Sequence, residues 1–135
     1  MENDILVDSN VFIDLLKFGR DPSQVMGEWA GGSNLATCGM VRLEVLRGIK
    51  SLKQLTQIAA FMDVMVNVPS DNRLWAVATE LAWKLDRMGR MIPGADVVIA
   101  ASALRLDAAV LTSDAHFQQI DGLRVIVPPA EWFGS

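Results

Sequence analysis

The sequence predicts an α/β fold in three layers, α/β/α, around a central, mostly parallel sheet of four or five strands. Three observations predict it. Short apolar runs with β-branched members, at residues 5–7, 35–38, 64–68, 108–112 and 123–127, alternate with stretches of helical periodicity. The first run, Ile5-Leu6-Val7, is apolar without interruption, as suits a central strand covered on both faces. Proline and glycine punctuate the joins, and no repeat, linker or low-complexity segment interrupts the 135 residues, so one domain over 1–135 is expected.

After the first strand, Asp8-Ser9-Asn10 leads into a helix marked by Phe12, Leu15 and Leu16, with Gly19 as its stop. Asp21-Pro22-Ser23-Gln24 starts a second helix, because Asp21 can cap, Pro22 fits the first helical position and Gln24 can reach back; Gly31-Gly32 ends it. The second strand, 35–38, passes through Gly39 into a helix over about 40–47 that carries Glu44. Ser51 opens a helix with Leu52, Leu55, Ile58, Ala59 and Met62 on one stripe, and Pro69 stops the third strand. Residues 71–90 carry the clearest amphipathic pattern, Leu74, Val77, Ala78, Leu81, Ala82, Leu85 and Met88, with Trp83 on the opposite face as an interface candidate. The helix from Pro93 to Leu104 is apolar nearly all round and is therefore expected to be buried. The strand at 108–112 runs into Ser113-Asp114 and a helix holding Phe117, and Pro128-Pro129 closes the last strand.

Composition narrows the chemistry. Apolar residues make up 51% of the chain, slightly rich for a soluble protein, which suggests that a partner covers some apolar surface. Cys38 is the sole cysteine and forms no internal disulfide, and with the single His116 it cannot build a zinc site. No basic stretch with an apolar signal segment opens the chain, and no run is long enough for a membrane span, so a soluble, cytoplasmic protein is expected. The net charge of −4 makes the whole molecule no magnet for nucleic acid. Two basic clusters, Arg42, Arg47, Lys50, Lys53 and Lys84, Arg87, Arg90, could still follow a phosphate backbone, although solvated helix faces account for most such residues.

In an alternating fold the strand C-terminal ends share one edge, and ligands bind there. Asp8 and Asp114 end two strands, while Glu44 and Asp96 lie on helices that begin at the same edge. Each acid also has a plain structural role open to it. Asp8 and Asp114 can cap helices, Asp96 can complement a helix dipole, and Glu44 can pair with Arg47. Together, with no obvious lysine or arginine among them, the four are costly without a cation. Carboxylates and water suit magnesium or manganese, and such a site can activate water and stabilise charge on a phosphodiester.

Leu6-Val7-Asp8-Ser9-Asn10, Val41-Arg42-Leu43-Glu44, Ala95-Asp96-Val97-Val98-Ile99-Ala100-Ala101 and Leu111-Thr112-Ser113-Asp114 resemble, in order and spacing, the motifs of the PIN-domain nucleases, and within them the VapC-type toxins of toxin-antitoxin pairs. The resemblance covers nearly the whole chain. It implies a PIN-like fold and a metal-dependent endoribonuclease in which Asp8, Glu44, Asp96 and Asp114 are catalytic and hold Mg2+ (or Mn2+) directly or through water. Asn10 and Thr112 support them. It also implies an RNA substrate, a homodimer and a cognate antitoxin that blocks the site. Many relatives carry a further acid where this chain has His116, so one bound ion is expected rather than two.

Other α/β families fit less well. A phosphoacceptor receiver domain needs paired acids after the first strand and a lysine after the last, and a haloacid-dehalogenase-like phosphatase needs an aspartate where Asn10 stands. No glycine-rich phosphate loop occurs. The rival of a different class is a catalytically idle PIN-like module that binds RNA or protein, and retention of all four acids argues against it.

Overall fold

Five strands and six α-helices alternate along the chain in a computed structural model that describes residues 3–134; Met1, Glu2 and Ser135, the ends of the expected domain, lie outside the described residues. The elements run β1 (Asp4–Val7), α1 (Ser9–Lys17), α2 (Pro22–Ala30), β2 (Asn34–Cys38), α3 (Gly39–Leu46), α4 (Leu52–Asp63), β3 (Val66–Val68), α5 (Asn72–Arg87), α6 (Gly94–Leu106), β4 (Ala109–Leu111) and β5 (Val125–Ile126). Short 3-10 helices at Ala115–Gln119 and Ala130–Phe133 flank β5. All strand pairs are parallel, in the order β3-β2-β1-β4-β5, and helices flank the sheet in the expected α/β/α arrangement.

β1 is central, as its unbroken apolar run requires, and all its residues are buried. The strand order reverses beside it: the chain steps outward from β1 through β2 to β3, then crosses back to place β4 on the other side. That reversal opens a crevice at the C-terminal ends of β1 and β4. Register fixes what meets there. Val7 pairs with Leu111, and Asp8 N–H donates to Leu111 O at 3.0 Å, so the ladder carries Asp8 level with Thr112. At the opposite end of β1 the buried Asp4 carboxylate accepts from Asn34 Nδ2 at 3.0 Å.

α6 is buried continuously from Val97 to Ala103, which explains why its sequence shows no polar face. Its alanines let it approach β1, β3 and β4 closely, and α5 packs against it from outside through Leu74 and Ala78. Each buried Val, Leu or Ile contributes about 1.5–3 kcal/mol, so this contact helps to fix the height at which α6 begins and hence the position of Asp96. Two devices secure the pair. Asp71 caps α5 by accepting from Leu74 N–H at 2.9 Å and pairs with Arg105 of α6 at 2.7 Å. Asp107 ends α6 in the left-handed region, φ 54°, a conformation aspartate tolerates better than most residues.

The ends of several elements differ from the sequence expectation. The third strand begins at Val66 rather than 64 because α4 carries its helical geometry through Val64, whose side chain is exposed. The last strand is only Val125–Ile126, and the segment holding Phe117 is a 3-10 turn, not an α-helix. The amphipathic helix stops at Arg87, where Met88 and the positive φ of Gly89 turn the chain. No helix among the described residues is long and apolar enough to cross a membrane.

Candidate active site

The crevice between β1 and β4 gathers the acids named from sequence. Asp8 occupies the N-cap position of α1, yet its side chain caps nothing. Its carboxylate accepts from Thr112 Oγ1 at 2.7 Å and, more weakly, from Ser9 Oγ at 3.4 Å. Asp8, Ser9 and Thr112 are all buried. Burial pushes the Asp8 carboxyl up to about 6, and the nearby Asp96 and Asp114 charges add to the rise, while the Thr112 hydroxyl opposes it. A capping role alone would have no need of this arrangement.

Glu44 comes from α3 and is half-buried, as its apolar neighbours imply. Instead of pairing with Arg47, it accepts from Ser9 Oγ at 2.9 Å. Ser9 thus lies between Asp8 and Glu44. Asp96 sits in the first turn of α6, where the helix dipole favours an acid. Desolvation nevertheless raises its carboxyl, the His116 hydrogen bond opposes the rise, and the Asp114 and Glu44 charges reinforce it. Asp114 does cap: it accepts from His116 N–H at 2.9 Å, and its own N–H donates to Thr112 Oγ1 at 2.9 Å. Capping and membership of the cluster are therefore compatible at this residue.

In the sequence, His116 stands as a lone histidine unable to build a zinc site and as a departure from an acidic family position. In the structure its Nδ1 lies 3.0 Å from Asp96 Oδ2 and 3.2 Å from Asp114 Oδ1. The hydrogen bond with Asp96 raises the imidazole above its ordinary value, and the Asp114 charge adds to the rise, so His116 is electrostatically coupled to both acids. Ser9 was missed as well, for its link to Glu44 spans 35 residues and leaves no local pattern. Asn10 is exposed and hydrogen-bonds none of the acids, so support within the cluster comes from Ser9 and Thr112.

Asp96, Asp114 and His116 each offer one ligand atom, and these atoms lie within 4.8 Å of one another. Asp8 and Glu44 act on the same locus through their charges, Asp8 through Asp96 and Asp114 and Glu44 through Asp96. A donor set of carboxylates with one imidazole fits a divalent cation. A groove of about 500 Å3 is lined by Glu44 together with Ile13, Leu16, Val45 and Ile49 and by Lys17 and Lys50. On α5, Trp83 is 59% and Trp75 48% exposed, and they line one shallow surface. The Arg87 guanidinium lies 4.9 Å from the Trp83 ring centre.

Ribonuclease VapC19 of Mycobacterium tuberculosis is 26% identical over 121 residues, which are 88% of this chain and 96% of that protein. Among solved structures, the complex of VapBC from Salmonella typhimurium with DNA contains a chain that superposes with a TM-score of 0.77 at 20% identity, covering 94% of this chain and 98% of the other. A chain of VapBC2 from Rickettsia felis, bound to a DNA fragment from its promoter, gives 0.76 at 19% identity over 92% and 98%. The PIN domain family model matches residues 5–123, from the central strand past the 3-10 turn of Asp114 and His116. That span takes in all four acids and the strands β1 and β4 that align two of them, and the chain belongs to the PIN domain family.

Proposed function

We propose that this protein is a metal-dependent endoribonuclease that cleaves RNA phosphodiester bonds in the cytoplasm as the toxin of a toxin-antitoxin pair. The observation that carries the reading is the convergence of Asp8, Glu44, Asp96 and Asp114 on the crevice where the strand order reverses, with Asp8 buried and its carboxyl raised to about 6. Likeness to a ribonuclease over most of both chains supports it. Four acids alone would repel a phosphodiester, so the site calls for a cation before RNA can approach. Asp8, Asp96 and Asp114 would hold one Mg2+ or Mn2+, with Glu44 on the same rim. The ion would activate water and neutralise charge on the phosphoryl oxygens.

The chain's own residues do the positioning. Thr112 fixes one oxygen of Asp8, Ser9 fixes one oxygen of Glu44, and the backbone of His116 fixes Asp114. Such preorganisation spares the acids a rearrangement during the reaction. The apolar groove beside Glu44 would let a segment of a cognate antitoxin lie next to the acids and block them. The Trp75 and Trp83 face of α5 offers a surface for a second copy in a homodimer, away from that groove in the lining residues it uses.

The test is cleavage of RNA by the purified protein with Mg2+ or Mn2+ and with chelator. Cutting only in the presence of metal, abolished in Asp8→Asn, supports the proposal. RNA binding without cutting under every metal condition would overturn it in favour of an idle binding module.

A further inference from the structure

His116 Nδ1, Asp114 Oδ1 and Asp96 Oδ2 make two short edges, 3.2 Å and 3.0 Å, that meet at the imidazole nitrogen. Two ligands held at about 2.1 Å from one ion and at a right angle lie about 3.0 Å apart. The spacing already matches neighbouring positions around a six-coordinate cation. We infer that His116 is itself a metal ligand through Nδ1, and that the site it forms with Asp96 and Asp114 selects Mn2+ over Mg2+. The inference rests on the proposed metal dependence and deepens it.

Local structure prepares this role. Asp114 and His116 stand two residues apart at the start of a 3-10 turn, and the His116 N–H holds Asp114 Oδ1 at 2.9 Å, so ring and carboxylate form one chelating unit. Asp96 is delivered from the first turn of the buried α6, a rigid neighbour. The ring is partly open to solvent, so metal can reach it while Nε2 keeps its hydrogen. Imidazole nitrogen is a softer donor than carboxylate oxygen. Mg2+ prefers oxygen ligands and loses water reluctantly, whereas first-row transition ions gain from a nitrogen donor, so replacing an acid by histidine tilts the site toward Mn2+.

His116 is the chain's single histidine, so any histidine nitrogen on bound metal is assigned without ambiguity in untagged protein. Pulsed electron paramagnetic resonance of the Mn2+-loaded full chain should show nitrogen modulation. In His116→Asp the modulation should vanish, and the preference for Mn2+ over Mg2+, read from melting-temperature shifts across metal titrations, should be largely lost, because an all-oxygen donor set suits both ions. Bound Mn2+ without nitrogen modulation in the unmodified protein overturns the inference and leaves the nuclease reading standing. An unchanged preference in a folded His116→Asp overturns the claim of selectivity. A protein whose melting temperature responds to neither ion overturns this inference and the metal-dependent reading together.

Discussion

Thr112 Oγ1 donates to Asp8 Oδ2 across 2.7 Å, joining the ends of two adjacent strands that stand 104 residues apart in the chain. The same hydroxyl accepts from Asp114 N–H, so one side chain aligns two of the acids. Thr112→Val keeps the shape and removes the hydroxyl. The buried carboxylate then loses its best donor, at a cost of about 1–3 kcal/mol in unfolding free energy. Thr112→Ser should recover most of that. A loss in Thr112→Ser with none in Thr112→Val on denaturant unfolding would assign the effect to the threonine methyl group and remove the hydroxyl from the account.

Ser9 holds Glu44 from the start of α1, and the hydroxyl is shared with Asp8 only weakly. Ser9→Ala should change stability by about 1 kcal/mol, an ordinary hydrogen-bond contribution, but should weaken metal binding more visibly because Glu44 is no longer oriented. Isothermal titration with Mn2+ measures the second effect. An affinity equal to that of the unmodified protein would make Ser9 a packing residue.

The central strand was legible because burial on both faces leaves a continuous apolar run, and α6 because burial all round leaves no polar stripe. Asp8 could be placed at a strand end from sequence, but its environment could not: the register that brings Thr112 beside it is a long-range fact. Both edge strands were expected, but their ends were misplaced for a different reason. β5 is two residues long and only half-buried, so its sequence carries little periodic signal. His116 was visible as a departure from a family pattern, whereas its approach to Asp96 depends on how a 3-10 turn packs against the start of α6.

Neutralising the acids should affect activity unequally. Asp8→Asn and Asp96→Asn should each remove most RNA cleavage, since these acids are more deeply buried than Asp114 and a charge lost there is less replaced by solvent. Asp114→Asn should retain more, because an asparagine oxygen can still accept from His116 N–H and keep the turn intact. Single-turnover cleavage rates compare them. A loss in Asp114→Asn as large as in Asp8→Asn would show that the charge of Asp114, and not its place in the turn, is what matters.

Trp75 and Trp83 lie eight positions apart on α5 and expose one face, with Thr79 between them. Large exposed aromatics are common anchors of interfaces. Trp83→Ala should shift the proposed dimer to monomer in light scattering at micromolar concentration, with little change in the stability of the fold, since the ring is 59% exposed. A dimer that survives the double substitution of Trp75 and Trp83 would place the interface elsewhere.

The last prediction concerns pH and follows from the direction of the carboxyl and imidazole shifts. In the metal-free protein the Asp8 carboxyl is raised from 3.8 to about 6, so the native state holds a proton that the unfolded state has released. Stability from this group is therefore lost as pH rises from about 4 to 6, by on the order of 3 kcal/mol, and stays lost above that range. Asp96 is raised as well and acts in the same direction. His116 is raised through its bond to Asp96, so its contribution is complete below 6.5 and is lost as pH climbs through the higher folded value. All three effects make the metal-free fold weaken steadily from acid to neutral pH. The proposed divalent metal, binding the folded state only, should oppose the decline, adding roughly 2.7 kcal/mol at a hundredfold excess over its dissociation constant. Asp8→Asn is the cleanest probe, because Asp96→Asn would also break the contact with His116. In chelator at pH 7, Asp8→Asn should melt several degrees above the unmodified protein; at pH 4 the two should nearly coincide. Its shift on adding Mn2+ should be smaller. Should Asp8→Asn melt lower at pH 7 with an undiminished response to metal, Asp8 would be a structural hydrogen-bond acceptor, and its place in the metal centre would have to be given up.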